Sequence, residues 1–446
     1  RYTRLSRHTH TTHTTTRRIT AMADLKPRTV SELLINGTLY DVAGFRHPGG
    51  SVIKFLTGKG DATEAFREFH SKSGDKVAKY MKALPQRPAP PEPTPTDARE
   101  VAAVARARKF TTEFAAFRKQ LEAEGWFEPD YYHTFYRILE VVLMHLVGLY
   151  LMIQFSSSWE LGPTLPWTVG LIMLGIVQGR CGWLMHEGGH FSMTGNPRID
   201  TRLQELLYGL GCGMSGAWWR IQHNKHHTAP QKLNHDVDLD TLPFVAFHSK
   251  IAVKAKNNPI AKIFVPMQAY LFSPVICTLI TLQWQFFLHP RHIWRTKRFA
   301  EAFWFAVRYF LIYQIFRYAG VTSFYHAAVV YVLYNLVGGT YIFTNFALSH
   351  THLPVTENDE SVHWLDYAAK YTVNITPHFF TNWWMGYLNF QIEHHLFPTM
   401  PQFKFVQLAP RTKRLFETCG LKYDVRGYFD ALQTTFGNLR TVSDAI

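Results

Sequence analysis

The pattern of apolar and polar positions changes character at about residue 97. Beyond it, apolar runs at about 136–155, 166–185, 302–319 and 324–347 each approach the ~20 residues that a helix needs to cross a bilayer, and they predict four transmembrane helices. A fifth run, 264–288, is interrupted by Pro266 and Pro274. Because proline removes a backbone donor and clashes with the turn before it, this run is expected to be re-entrant or interfacial. Residues 98–124 show helical periodicity instead, with Val101, Val104, Phe110, Phe114, Phe117 and Leu121 set against Arg and Glu. Such a stripe suits packing on a protein core and lying on a membrane surface equally well.

Upstream, residues 22–84 have the mixed composition of a small water-soluble domain. Six prolines between Pro85 and Pro95 mark 85–97 as a semi-rigid, polyproline-like linker on which the first domain can swing, and 98–446 as a second, membrane domain. The opening 21 residues, rich in Thr and His, lack the apolar stretch of a secretory signal. They read as a disordered or non-native leader, with Met22 as the start.

Charge then narrows the partners. A net charge of +14 would fit nucleic acid or an anionic membrane face, and 15% aromatic residues favour the membrane. The chain has no zinc-finger spacing, no RNP-like strand and no basic stripe interleaved with aromatics, so nucleic acid is set aside and the lipid bilayer is the expected partner. Cys181, Cys212, Cys277 and Cys419 are scattered without a CxxC pair, and nothing asks for an oxidising compartment.

Three histidine clusters carry the chemistry. His223, His226 and His227 stand at i, i+3 and i+4, so on a helix their nitrogens can converge on one point. The same spacing recurs at Gln391, His394 and His395, and a related one at His186 and His190. HEGGH at 186–190 also matches the HExxH signature of zinc proteases, but two adjacent glycines weaken that helix and the reading leaves the other clusters without a role. His350, just after the last apolar run, is a further candidate ligand, and His352 its competitor. Eight or nine donors are too many for one ion and suit two; imidazole is compatible with Zn, Cu, Fe or Ni, so donor type does not select the metal.

The clusters also bear on topology. The connections 156–166 and 319–323 hold no Lys or Arg, whereas Arg291, Arg295, Lys297 and Arg298 precede the run at 302, and Arg411, Lys413 and Arg414 follow the last cluster. The positive-inside rule puts both termini and all three clusters in the cytosol. An even number of crossings must then separate His223 from His394, which is why the proline-bearing run is expected not to span.

In the first domain His47-Pro48-Gly49-Gly50 is followed by Asp61-Ala62-Thr63-Glu64-Ala65-Phe66 and His70. This resembles the cytochrome b5 domain over roughly residues 28–85. The resemblance implies a haem b held by His47 and His70 as axial ligands; a six-coordinate iron of that kind transfers electrons and has no open position for oxygen.

The order HxxxH, HxxHH, QxxHH between paired spans is similar to the membrane fatty-acyl desaturases. The fused b5 domain and Gln391 look like the front-end subgroup, which inserts a double bond between an existing one and the carboxyl end. The resemblance implies a mainly α fold: a four-span transmembrane helical domain with a cytosolic His-box cap, preceded by a small α+β cytochrome b5-like domain. It also implies a non-haem di-iron centre held by His186, His190, His223, His226, His227, His350, Gln391, His394 and His395. O2 would be the co-substrate, a fatty acyl-CoA or phospholipid the substrate, NADH-cytochrome b5 reductase the electron donor, and the endoplasmic reticulum the location. Removing hydrogen from an unactivated methylene is beyond acid–base side chains and calls for such a cofactor, fed electrons singly.

Delta-5 and delta-6 enzymes share all these motifs. Sphingoid-base delta-8 desaturases and related hydroxylases are the enzymatic alternatives, and a membrane-anchored b5 electron carrier with inert boxes is the alternative of another class. Asn234–Asp240 reads as solvated charge or as carboxylates orienting the ligand imidazoles. Trp218-Trp219-Arg220 and Trp383-Trp384, which precede boxes two and three, read as interfacial anchors in preference to substrate contacts.

Overall fold

Asn36 and Gly37 both take positive φ (49° and 72°), a two-residue turn whose twist matches a hairpin, and they join β1 (Glu32–Ile35) to β2 (Thr38–Asp41). β3 (Gln86–Pro88) pairs antiparallel with the free edge of β2, so the head of the proline-rich stretch is part of this sheet. The computed structural model describes residues 27–91, 94–156, 162–239, 241–321, 323–356 and 362–445; the expected leader and part of the 156–166 connection lie outside them. Leu33, Ile35, Val42 and Ala62 form the core of the small domain, and α1 (Thr63–His70) and α2 (Gly74–Ala83) pack beside it.

α3 (Ala98–Ala123) starts at Asp97, whose side chain accepts from Arg99 N and Glu100 N. Of its two possible surroundings, the structure gives it protein. Phe110, Phe114 and Leu121 are fully buried in a cluster with Phe397, Phe405 and Phe416, and Phe114 stacks on Phe397 at 5.5 Å. Ala65 belongs to the same cluster and Phe69 packs against it, so the small domain sits docked on the second one.

Among the described residues four helices are long and apolar enough to cross a membrane: α4 (Tyr131–Gln154), α5 (Leu165–Gly189), the broken helix Ala261–Thr296, and the helix Phe324–Ala347; the expected span at 302–319 is not one of them. α5 is the central one, with 72% of its apolar window buried inside the protein against 22% for α4. Small residues permit this closeness: a Cβ on Gly170 would lie 2.7 Å from the Gly148 carbonyl oxygen of α4.

Contacts show where the chain travels the length of the bundle. α6 (Pro197–Cys212) runs back along α5, from Gln204 beside Gly188 and Gly189 to Gly211 beside Cys181, and α7 (Gly216–Thr228) returns. The broken helix begins beside the C-terminal helix, where Ser443 Oγ donates to Val265 O. It descends to Gln285, which bonds Asn335 and Tyr331, and then comes back: Ser215 N donates to His289 Nδ1, and Arg298 is 3.9 Å from Glu205 on α6. Both its ends therefore lie on the histidine side. The helix that continues to the far end is α8 (Phe299–Tyr318), from Glu301 bonded to Ser215 down to Ala319 and Val321, which cluster with Met152, Trp167 and Val330. Buried Glu301 and Arg308 lower the apolar content of α8. α9 (Phe324–Ala347) climbs back to the histidine end.

The remaining chain forms a cap over that end: α10 (Trp364–Tyr371), α11 (Gln391–Leu396), α12 (Phe405–Cys419) and α13 (Tyr428–Ser443). A short parallel pair, β4 (Asn374–Ile375) with β5 (Val425–Arg426), ties the last segment to it.

Candidate metal centre

Helix geometry makes the histidines converge. His186 and His190 are one turn apart at the end of α5, and His223, His226 and His227 share one side of α7. α7 is held at its start, where Ser215 Oγ accepts from Trp218 N at 3.1 Å and donates to Glu301 at 2.6 Å. α11 presents Gln391, His394 and His395, all buried, and His350 follows the last turn of α9.

The eight imidazoles fall into two groups. Nitrogens of His186, His190, His223, His227 and His394 all lie within 4.8 Å of one another, and so do those of His226, His350 and His395. The groups share a wall, since His227 stacks on His395 at 4.2 Å between ring centroids. Gln391 Oε1 lies 3.3 Å from His350 Nε2, which places it in the second group.

Their nitrogens fit metal ions. His186 Nε2, His190 Nε2, His227 Nδ1 and both nitrogens of His394 and His395 are buried with no hydrogen-bond partner among the described residues, and His223 Nε2 faces His227 Nε2 at 2.9 Å. Partnerless polar atoms are costly inside a protein unless a cation satisfies them. Burial, and then the neighbouring rings, holds His223, His227, His394 and His395 well below the usual imidazole range, and His190 at about 3. They are thus neutral, the form that ligates. His226 differs: burial opposes its charge, but Asp236 and Asp238 prevail and push it up to about 9. A metal at Nε2 would take the place of that proton.

A second layer orients the rings. Asp236, itself buried, has both oxygens 3.0 Å from His226 Nδ1, which turns Nε2 toward the second group. His350 Nδ1 is 2.9 Å from the Tyr371 carbonyl oxygen. His186 Nδ1 is 2.8 Å from the Gln402 side-chain amide. Next to these groups is a cavity of about 450 Å³, bordered by Trp218, Trp219, Phe272, Trp284, Phe343 and Phe346, into which His186, His223 and His394 project. Its size and mainly apolar wall suit a ligand of the bulk of an acyl chain.

In the small domain, His47 and His70 face each other with ring centroids 6.0 Å apart. Two imidazoles ligating one iron from opposite sides, each through a bond of ~2 Å, require about that separation. His70 Nδ1 is bonded to Phe66 O at 2.8 Å, which leaves Nε2 for a metal. A Cβ on Gly49 would come within 2.7 Å of the His47 ring, so a larger residue there would displace the ring from the position it takes opposite His70.

Comparison with known proteins agrees with this geometry. The sequence profile of the fatty acid desaturase family matches residues 163–427, and that of the cytochrome b5-like haem/steroid binding domain matches 31–86. An acyl-lipid (8-3)-desaturase of Rebecca salina is 51% identical over 93% of this chain and 92% of its own. The chain belongs to the fatty acid desaturase family. An acyl-lipid (8-3)-desaturase of Thraustochytrium sp is 46% identical over 93% of this chain and 92% of its own, and a Delta(8)-fatty-acid desaturase of Euglena gracilis 28% over 89% and 92%. This is a front-end desaturase with a fused b5 domain, and its cofactors are haem and a non-haem di-iron centre.

The structure of the desaturase also separates the sequence candidates. His352 is engaged elsewhere, with Arg426 and Thr435. Glu187, which a zinc-protease reading needs at the metal, instead accepts from Gln402 N at 3.2 Å. Trp218 and Trp219 are not interfacial anchors: both line the cavity, and Trp219 stacks on His223 at 4.2 Å. Trp383 bonds Glu140, and Trp384 Nε1 is 3.3 Å from the Tyr428 hydroxyl. Gln402 and the Tyr371 carbonyl carry no motif, and sequence reading missed them; the only available signal was that ligating imidazoles need a partner on their second nitrogen.

Proposed function

We propose that the protein carries out O2-dependent front-end desaturation of polyunsaturated acyl chains, of the delta-5 or delta-6 type. Within that type the names of its (8-3) relatives favour the same (8-3) reaction on an acyl lipid. The observation that carries the reading is the pair of buried imidazole groups opening on an apolar cavity, in a chain 51% identical to such a desaturase.

In this proposal one ion is held by His186, His190, His223, His227 and His394, and the other by His226, His350 and His395, with Gln391 beside it. Bound there, the metal pair supplies the oxidising power, from O2, that removes hydrogen from an unactivated methylene. The residues do the rest. Asp236, Gln402 and the Tyr371 carbonyl hold ring orientation, and the aromatic cavity wall aligns the acyl chain and keeps water from the reacting carbons. His47 and His70 hold the haem that relays electrons from NADH-cytochrome b5 reductase. The enzyme is assigned to the endoplasmic reticulum, with its histidine end in the cytosol.

The test is expression in a yeast that lacks such lipids, feeding of defined polyunsaturated acids, and location of new double bonds by mass spectrometry in the phospholipid and acyl-CoA pools. A new bond on the carboxyl side of an existing one is expected. Absence of new product from every acid supplied would overturn the proposal.

A further inference from the structure

The docking of the haem domain is specific, and it sets a haem ligand's neighbour against the metal centre. Phe69 precedes His70 in α1, and its ring meets that of His227 edge-on at 6.5 Å and 90°, and that of Trp364 at 6.2 Å. His227 is the residue whose ring also stacks on His395, at the wall between the two imidazole groups. Phe69 packs against the apolar cluster that holds Phe114, Trp364 and Phe397, and beside it the interface carries polar contacts. Glu68 and Arg118 form a fully buried ion pair at 2.5 Å, and the Arg118 guanidinium lies over the Phe127 ring at 3.8 Å. Ser71 Oγ is 3.2 Å from Thr399 Oγ1, and Lys72 Nζ donates to Phe127 O at 2.6 Å. Replacing a buried ion pair by apolar residues is often neutral or stabilising, whereas removing one partner is costly, so the pair ties docking to one arrangement of Glu68 and Arg118.

We propose that Phe69 is the contact through which electrons leave the haem for the metal pair, and that Glu68 and Arg118 are positioning residues that fix the docked, productive pose. The inference rests on reading the imidazole groups as the di-iron site. Each passage oxidises the haem iron by one electron and reduces the metal pair by one. Two passages, two protons and O2 then remove two hydrogens from the acyl chain and leave two waters. A rival contact exists at Phe55, whose ring is 4.6 Å from that of His235, but His235 belongs to neither imidazole group.

The experiment uses the full-length holoenzyme in detergent, with the haem reduced chemically and its reoxidation by O2 followed by absorbance in the presence of substrate. Phe69→Leu keeps the haem spectrum and iron content and slows reoxidation by about tenfold or more, and Phe69→Tyr restores it. Arg118→Ala weakens docking on the order of 100-fold, and Arg118→Lys recovers part of it. Docking itself is read from a disulfide between Ser71→Cys and Thr399→Cys, made in one chain and scored on a gel; the four native cysteines are buried. The crosslink is expected to form readily, to be lost with Arg118→Ala, and to leave reoxidation at least as fast as before. Reoxidation of Phe69→Leu at the wild-type rate, or a crosslinked protein unable to reoxidise its haem, would overturn the proposal. Failure of the functional reading looks different: there the wild-type protein itself yields no product.

Discussion

Asp236 offers a sharp test of how the second imidazole group is held. Its two oxygens receive three N–H donors, His226 Nδ1 at 3.0 Å, Gln231 N at 2.7 Å and Asp238 N at 2.9 Å. Asp236→Asn keeps the shape but replaces one acceptor oxygen by an amide nitrogen, which must then face one of those donors in a buried site. The negative charge that favours a cation on His226 is lost as well. Losses of this kind at the partner of a ligating histidine cost about 10- to 100-fold in metal affinity. With iron limiting, non-haem iron in the variant should fall from about two toward about one per haem, because the five-histidine group does not use Asp236. Iron is measured by mass spectrometry against haem by its pyridine complex, with the haem spectrum as a folding control. An Asp236→Asn protein that keeps both ions at limiting iron and makes product normally would refute the reasoning.

Other consequences are simpler to state. His226→Ala should abolish product and leave the haem spectrum intact, whereas His47→Ala should lose the haem and the electron supply together; the two are distinguished by spectrum and product analysis. Phe114→Ala, at a residue wholly buried between α3 and the cap, should cost about 3–5 kcal/mol and lower the thermal unfolding midpoint, and an unchanged midpoint would contradict the packing described. The hydrogen bond from Arg87 holds the Glu32 carboxyl at about 2, against the opposing effect of burial. The folded-state value is depressed, so this stabilisation is present above the ordinary 4.5 and is lost as pH falls toward 2. The stability difference between the wild type and Arg87→Ala, followed by denaturation as pH is lowered, should shrink over that window.

Much of this protein is written in local patterns. Spacing alone placed His223, His226 and His227 on one helix face, and run length alone marked three of the four helices that are long and apolar enough to cross a bilayer, because both follow from the helix repeat. Proline at 266 and 274 pointed to an interruption, and the helix Ala261–Thr296 is broken there; by length and apolar content it nevertheless qualifies as a membrane span, whereas the run at 302–319 does not. What periodicity could not say is which surfaces meet. The burial of α3 against Phe397, the turn of Trp218 and Trp219 into the cavity, the split of eight histidines into groups of five and three, and the choice of His350 over His352 depend on elements far apart in the chain. The same holds for Gln402 on His186 and Phe69 on His227. Residue types set by the sequence determined which chemistry was possible; only the packing of distant helices, through burial and the partners it leaves each nitrogen, decided which side chains carry it.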